Sequence, residues 1–306
     1  MSSDLARFVE GELSRPPPVA TGVARHLAAW FDDPLAIVFY GSALRTGERD
    51  GLLDFYVLTR SAPNGLRGAA SRILWPDVSY REIDLPDGRV RAKVAAMTLA
   101  QFDRAARGNG VDTTIWTRFV QPAALAWSDG PASAAAVREA VAEAARTAAR
   151  FAAALGPERG PAEAFWSALF RQTYAAELRV ESQGRGQAIL AFDPGRYAAL
   201  LPLAWRAGGL AFERSADGEL APRMTAAERR RLQGAWRMRR ALGRPLNAAR
   251  LMKATFTFEG AARYAAYKIE RHTGIAIPLT AWRERHPILA APGVLWRLWR
   301  ARRGTA

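Results

Sequence analysis

Two short apolar runs near the N-terminus contain the residues best suited to chemistry. The first run, 37–42 (Ile-Val-Phe-Tyr-Gly-Ser), ends in Gly41 and Ser42, and the second, 53–58, carries Asp54. A Gly-Ser turn can present backbone N–H groups to phosphate oxygens, and a carboxylate on the next strand can hold the Mg²⁺ that bridges those phosphates. The pattern therefore predicts a site for a triphosphate and magnesium, although two ordinary core strands with a chance polar residue would also produce it.

The residue two positions after Asp54 limits which reaction such a site can perform. Nucleotidyl transfer is an in-line attack on the α-phosphorus of a nucleoside triphosphate, and it needs charge neutralisation and alignment more than covalent help. Sites of this kind usually carry carboxylates at i and i+2 of one strand, but the i+2 residue here is Tyr56. A hydroxyl acceptor needs a base, whereas a phosphate monoester is already an anion near neutral pH. One strand carboxylate therefore favours a phosphate acceptor, unless a distant Asp or Glu supplies the second ligand.

Composition argues against several other kinds of site. The chain of 306 residues contains no Cys, which excludes disulfides and thiolate metal centres. Its three His residues (His26, His272 and His286) are scattered, so a His-based metal site is not expected. The sequence has no run of eighteen apolar residues and no basic-then-apolar signal pattern at its start. We therefore expect neither a membrane-spanning helix nor a secretory signal.

The charge predicts polyanionic partners. A formal net charge of +15 is typical of proteins that bind nucleic acid, an anionic membrane or phosphorylated substrates. Lys93, Lys253 and Lys268 are the only lysines among 44 basic residues. Where the composition favours arginine, a retained lysine can mark a position that needs a compact point charge. Chance retention is an equal alternative for any one of them, and Lys93 would also fit an ordinary surface position on a strand.

The elements that must position these residues predict an α+β fold. We expect a nucleotidyltransferase-like mixed sheet with helices over residues 1–130, a mainly helical domain over 131–292 that closes a cleft, and a basic amphipathic segment over 293–306. The spacing of apolar residues and turn signals predicts strands over 35–40, 52–58, 78–85 and 89–97, a helix capped by Thr98, and further helices over 19–30, 68–74, 132–155, 161–181, 194–205, 225–242 and 246–272.

The C-terminal segment predicts contact with a membrane. Leu295, Trp296, Trp299 and Arg300 belong to a short amphipathic pattern with a polybasic flank, which is typical of an interfacial helix on an anionic bilayer. Each Arg near such a surface contributes roughly 1 kcal/mol. A terminal helix that docks its Trp residues into the core of the protein is the alternative.

Several motifs, in the same order along the chain, resemble those of the translocator-assembly-and-maintenance type of mitochondrial phosphatidate cytidylyltransferases and their bacterial relatives. The similarity covers about residues 35 to 260 and is carried by short pieces whose order is more specific than any one of them. These pieces are Phe39 to Ser42, Leu53 to Phe55, Asp87 to Arg89, Arg118 to Pro122, Glu177 to Arg179, Arg244-Pro245, Lys253 and Phe256-Thr257. The chain departs from the pattern at Ala43, Arg250, Leu251 and Ala254.

The resemblance implies the synthesis of CDP-diacylglycerol from CTP and phosphatidic acid with Mg²⁺ as cofactor. It implies that Gly41 and Ser42 hold phosphates and that Asp54 is a catalytic residue and metal ligand. Further roles follow for a set of charged residues: Lys253 as a catalytic cation, Arg244 in nucleotide binding, Glu177 as a second metal ligand, and Lys93, Arg118 and Arg179 as possible phosphate contacts. Glu82 and Asp84 are weaker candidates for the second metal ligand.

Two other functions fit the same residues. One is a nucleotidyltransferase with a soluble acceptor such as a sugar, an antibiotic or RNA. The other is a catalytically silent protein of this fold that binds anionic lipid or nucleic acid, although no nucleic-acid motif is recognisable and no such partner is expected. For the favoured reaction, we expect a peripheral protein on the cytoplasmic face of an inner membrane, because phosphatidic acid lies in the bilayer.

Overall fold

The computed structural model describes residues 3–47, 51–176, 185–273, 276–285 and 293. It confirms the predicted α+β class: a mixed sheet with helices is followed by a mainly helical region. The helices are α1 Ser3–Leu13, α2 Pro18–Trp30, α3 Ser42–Thr46, α4 Gly65–Ile73, α5 Leu99–Ala106, α6 Thr114–Phe119, α7 Pro131–Leu155, α8 Ala162–Ala176, α9 Arg185–Phe192, α10 Pro194–Ala207, α11 Ala226–Thr257, α12 Ala261–Thr273 and α13 Ala281–Arg285.

The main sheet has five strands in the order β3-β4-β2-β1-β5. The β2–β4 pair is parallel, and the other three pairs are antiparallel. The strands are β1 Pro34–Tyr40, β2 Leu52–Thr59, β3 Asp77–Leu85, β4 Gly88–Thr98 and β5 Ala123–Ser128, and a separate short hairpin is formed by β6 Phe212–Arg214 and β7 Leu220–Pro222. The central position of β2 places Asp54 in the middle of the sheet.

The two faces of the sheet pack against different helices. On one face, α2 buries Val23 and Leu27 against strand residues such as Phe55. On the other face, residues of α1, α5, α6 and α7 pack around Tyr56 and Phe102. This second core is continuous across residue 130 and reaches α8, α10 and α11. Alternate residues of β2 therefore point into two separate apolar layers, as the period of a strand requires.

Local signals fix the ends of several elements. Thr98 ends β4 and begins α5 with a capping box, in which its hydroxyl accepts from the backbone N–H of Gln101 and its own N–H donates to the Gln101 side chain. Thr225 and Glu228 form the same reciprocal pair at the start of α11. The cap predicted at Thr98 is confirmed.

The predicted helix boundary near residue 245 is wrong. The sequence indicated helices over 225–242 and 246–272, whereas α11 continues through Pro245 and ends at Thr257. Pro245 removes one N–H from the helix ladder, but its position is exposed, so water can satisfy the carbonyl that this N–H would have bonded. The real break lies at residues 258–260, where the chain pairs with β3 before α12 begins. In the described part of the chain, no helix is both long enough and apolar enough to cross a bilayer.

Candidate functional site

A row of residues in direct register crosses the sheet at Asp54. Tyr80 of β3 lies opposite Lys93 of β4, Lys93 opposite Asp54 of β2, Asp54 opposite Tyr40 of β1, and Tyr40 opposite Ala123 of β5. Side chains in register on neighbouring strands project from the same face of a sheet. The half-buried carboxylate of Asp54 therefore stands between the ammonium-bearing side chain of Lys93 and the ring of Tyr40.

The turn after β1 packs directly against this carboxylate. Gly41 has a φ of +97°, which L side chains rarely adopt, and α3 begins at the next residue, Ser42. A Cβ atom at Gly41 would lie 2.9 Å from Oδ2 of Asp54. Both the conformation and the close approach require glycine here. The structure thus brings together the Gly-Ser turn and Asp54, which are separated by eleven residues in the chain.

The Asp54 cavity, of about 220 Å³, opens at this point of the sheet. Ser42, Asp54 and Lys93 line it from the sheet and the turn after β1, and Lys268 and Arg271 of α12 line it from the helical region. Among the described residues of its lining, three cations face one carboxylate. A cleft lined mainly by one sign of charge concentrates ions of the opposite sign, so the ligand suited to this cavity is a polyanion.

The path from α11 to α12 explains how these two cations reach the sheet. The backbone N–H of Tyr80 donates to the carbonyl of Glu259 at 2.8 Å, and Glu259 forms a parallel bridge with Ser79. Gly260 then turns the chain with a φ of +79°, and a Cβ there would lie 2.6 Å from the Tyr80 carbonyl oxygen. The segment between the two helices therefore extends the edge of the sheet and directs α12 across its face.

Aromatic contacts hold α12 in that position. The rings of Tyr264 and Tyr267 lie 5.8 Å and 6.5 Å from the ring of Tyr80, measured between centroids. Burial, and then the hydrogen bond to Glu82, raise the pKa of Tyr80, so its hydroxyl stays protonated and donates to Glu82 at 2.9 Å. The ammonium of Lys268 lies 5.2 Å from the Tyr264 ring centroid, a cation–π distance. These contacts fix the helix that carries the cavity's outer cations.

Two residues after Asp54, where a second carboxylate is usual, Tyr56 contacts the cation of Arg118. The buried hydroxyl of Tyr56 accepts a hydrogen bond from Nη1 of Arg118 at 2.7 Å. The Arg118 guanidinium also lies 5.2 Å from the ring centroid of Tyr40 and 5.7 Å from that of Tyr56. Burial raises the pKa of Tyr56, so this hydroxyl remains neutral. The sequence predicted Arg118 as a phosphate contact, and the structure places it beside Asp54's strand neighbours.

Lys253, which the sequence predicted as a catalytic cation, lies outside the lining of the Asp54 cavity. Its ammonium donates to the carbonyls of Leu74 and Pro76 at 2.6 Å and 3.3 Å and to a carboxylate oxygen of Asp77 at 2.7 Å. Asp77 is in register with Ala96, three residues beyond Lys93 on β4. Lys253 is not among the described residues that line the Asp54 cavity, and its buried ion pair attaches α11 to the start of β3.

The remaining predicted residues are also not brought to Asp54 by the described part of the chain. Arg244 lines an exposed groove on α11 together with Arg237 and Arg240. Glu82 accepts from Tyr80, and Asp84 forms an ion pair with Arg89. Six predicted site residues lie outside the described residues: Glu177, Arg179, Leu295, Trp296, Trp299 and Arg300.

Sequence reasoning missed Lys268 and Arg271 as residues of the cavity. Lys268 carried one usable signal, because it is one of only three lysines in the chain. Arg271 carried none, since arginine occurs throughout the sequence. The three lysines all have specific surroundings: Lys93 and Lys268 line the cavity, and Lys253 forms the buried pair.

The residues present fit one magnesium ion shared with a substrate. Among the described residues, no group of three potential metal ligands exists. Mg²⁺, however, is usually bound by one or two carboxylates together with substrate phosphates and water. Asp54 supplies one carboxylate in the lining of this cation-rich cavity, and Ser42 supplies a hydroxyl in the same lining. This donor set suits a metal that enters with a triphosphate.

Comparison with known proteins does not identify a family: no protein-family model matches the chain, and no curated protein is significantly similar to it. A functional assignment therefore depends on the chemistry of the Asp54 cavity and on the order of the motifs described above.

Proposed function

We propose that the protein is a magnesium-dependent nucleotidyltransferase that transfers the cytidylyl group of CTP to phosphatidic acid, giving CDP-diacylglycerol and pyrophosphate. The observation that carries this proposal is the arrangement at Asp54: one carboxylate lies against Gly41 and beside Lys93, and two cations of α12 lie across the cavity. The choice of CTP and of phosphatidic acid follows from the family resemblance.

The reaction joins a phosphate oxygen of phosphatidic acid to the α-phosphorus of CTP and breaks the bond from that phosphorus to the oxygen of the β-phosphate. Pyrophosphate leaves with the electron pair of the broken bond. Lys93, Lys268 and Arg271 would neutralise the triphosphate and the leaving pyrophosphate. When bound, magnesium held by Asp54 and the triphosphate would supply further charge neutralisation and alignment.

The surroundings of Asp54 favour a phosphate acceptor over a hydroxyl. The attacking oxygen of a phosphate monoester needs no general base, and in this cavity the described titratable side chains other than Asp54 are Tyr264 and three cations. The Tyr56–Arg118 pair adds positive charge where a second carboxylate is usual. An acceptor with a free hydroxyl would lack a described base, so the soluble-acceptor alternative is the weaker one.

The size of the cavity limits which part of the nucleotide it holds. Sites that enclose a whole small-molecule ligand usually measure roughly 300–1,000 Å³, and the Asp54 cavity measures about 220 Å³. It is therefore suited to the phosphates, with the base and the lipid tails outside it. The net charge of +15 and the lipid acceptor favour a peripheral location on the anionic cytoplasmic face of an inner membrane.

The direct test is incubation of the protein with Mg²⁺, phosphatidic acid in detergent and CTP labelled in its α-phosphate. We expect the label to enter the organic phase and unlabelled pyrophosphate to appear in equal amount. If a soluble acceptor is added and the label appears in a new water-soluble product instead, the acceptor is that soluble compound and not phosphatidic acid. The same incubation is repeated with each of the four nucleoside triphosphates. If none of them places label in lipid and none releases pyrophosphate, the proposed reaction is overturned.

The cations of α12 provide a second prediction. Replacing Lys268 and Arg271 together by Met is expected to weaken binding of CTP with Mg²⁺ at least tenfold, because hydrogen bonds to charged groups contribute about 1.5–3 kcal/mol each. The measurement is the shift in thermal midpoint that the nucleotide produces. The double variant Arg25→Met, Arg214→Met removes the same charge from exposed positions on other elements and should keep the shift. If CTP shifts the thermal midpoint equally in both variants, Lys268 and Arg271 do not contribute to nucleotide binding.

A further inference from the structure

The outer face of α11 carries an exposed apolar stripe. Met238, Leu242, Met252 and Phe256 are 51%, 45%, 68% and 84% exposed. At 3.6 residues per turn they fall within about 80° of one side of the helix. Two small apolar residues fill the same arc between them, so we define the α11 stripe as Met238, Leu242, Pro245, Ala249, Met252 and Phe256.

The buried side of α11 fixes the direction of this stripe. Leu232, Trp236 and Arg239 are buried, and α7, α8 and β3 pack on the helix. Farther along, Arg250 pairs with Asp112, and Lys253 is held by its buried pair. The helix therefore cannot rotate the stripe inward without losing these contacts. Single exposed apolar residues are ordinary on a protein surface, but a periodic stripe over five turns indicates an interaction surface.

Positive charge adjoins the stripe. Arg237, Arg240 and Arg244 line a groove of about 420 Å³ on the same helix, and the helical period places Arg237 and Arg244 about 60–80° beyond one edge of the stripe and Arg240 farther round the helix. Between residues 229 and 257 the sequence has nine Arg and Lys residues and no Asp or Glu. An exposed apolar face with arginines on one flank and no acidic residue along the same stretch of helix is the pattern of a helix that lies in the interface of an anionic bilayer.

We propose that the α11 stripe and its arginine border dock the protein on an anionic lipid surface. A second copy of the chain fits this surface poorly, because a two-fold contact would bring like-charged arginine rows together. Nucleic acid would use the arginines but would leave the apolar stripe in water. A bilayer with anionic headgroups is complementary to both parts at once.

This inference is independent of the proposed reaction. The docking surface lies on α11, whereas the Asp54 cavity is formed by the sheet and α12. It is also distinct from the membrane contact predicted for residues 293–306, which lies outside the described residues apart from Gly293.

The test is co-sedimentation of the full chain with phosphatidylcholine vesicles that contain either no anionic lipid or one-third phosphatidylglycerol. Phosphatidylglycerol is a phosphodiester and not the proposed substrate, so binding to these vesicles does not report recognition of the phosphate monoester of phosphatidic acid. We expect wild-type protein to bind the anionic vesicles, and the double variant Leu242→Ser, Phe256→Ser to bind at least tenfold more weakly. Ile73→Ser with Phe192→Ser removes exposed apolar residues from other helices and should bind as wild type.

The arginine border is tested separately. Replacing Arg237, Arg240 and Arg244 by Gln should weaken binding to anionic vesicles by about 100-fold at low salt. As a control, Arg15, Arg25 and Arg214 are replaced by Gln. These residues are exposed on other parts of the chain, and their replacement should weaken binding to anionic vesicles much less. These variants change exposed positions, so unaltered thermal midpoints will show that each protein is folded.

Three results would overturn the proposal. The first is that the stripe variant binds anionic vesicles as tightly as wild type. The second is that the substitutions in the stripe convert an oligomer into a monomer, which would make the stripe an interface between copies of the chain. Deletion of 293–306 could abolish binding while the stripe and border variants retain it, which would assign docking to that segment alone. Success or failure of CDP-diacylglycerol synthesis changes none of these outcomes.

Discussion

Replacement of Asp54 by Asn is expected to abolish formation of the lipid-linked nucleotide while the fold remains intact. Asn has nearly the same shape as Asp, so it keeps the close packing of residue 54 against Gly41. It loses the negative charge that would hold magnesium with the triphosphate and leaves Lys93, Lys268 and Arg271 as the charged groups that line the cavity. Loss of one preorganised electrostatic group typically costs on the order of 10²–10³ in rate, and loss of the strand's single carboxylate should cost at least that much.

A matched control comes from the hairpin. Asp84 is an exposed carboxylate that pairs with Arg89, and the hydrogen bond from Arg89 holds the pKa of Asp84 below its usual range. Asp84→Asn therefore removes one exposed, ionised carboxylate outside the cavity and should leave turnover within a factor of two or so. Label transfer by Asp54→Asn at a rate near wild type would show that Asp54 is not the metal ligand. If Asp84→Asn also lost transfer, the loss in Asp54→Asn would not be specific to the Asp54 cavity.

Several elements could be predicted from the sequence because their signals are local. Thr98 and Gln101 are three residues apart, and their reciprocal hydrogen bonds need nothing beyond the first turn of α5. The strands around Asp54 were likewise predicted to within one residue at each end, since apolar runs of strand length with turn residues between them leave few alternatives. The Gly-Ser turn and Asp54 came from the same local patterns.

The path of residues 246–273 could not be predicted in that way. A helical apolar period continues through 258–260, but the chain leaves the helix there because Glu259 pairs with the edge of β3, about 180 positions earlier in the sequence. Only that tertiary pairing directs α12 over the sheet. The cavity's outer wall, with Lys268 and Arg271, depends on it and was therefore missed.

The case of Lys253 shows a different limit. A compact ammonium suits a triphosphate, and it equally suits a small buried cage of two carbonyls and a carboxylate. The sequence does not distinguish the two, because the cage is formed by Leu74, Pro76 and Asp77, far from Lys253 in the chain. The predicted catalytic role of Lys253 therefore has a structural competitor that can be measured.

Replacement of Lys253 by Met is expected to lower the free energy of unfolding by about 3–5 kcal/mol, the usual cost of removing one partner from a buried ion pair. Met keeps most of the apolar stem, so the loss reports mainly the uncompensated carboxylate of Asp77 and the two carbonyls that lose a donor. Chemical unfolding followed by circular dichroism provides the measurement. Lys268→Met, the same change at an exposed position, removes only an exposed cation–π contact and should alter the free energy of unfolding by no more than about 1 kcal/mol.

The double variant Lys253→Met, Asp77→Asn separates the two roles of this lysine. If the pair is structural, removing the charge of Asp77 should recover part of the stability lost in Lys253→Met, because no unpaired charge then remains buried. Ser71 donates to the other carboxylate oxygen of Asp77, and an Asn oxygen can still accept from that hydroxyl. Activity per folded molecule should then also recover. A fully stable Lys253→Met protein that cannot transfer label would contradict the structural role and would return Lys253 to the phosphates, with α12 and α11 closing on the substrate together.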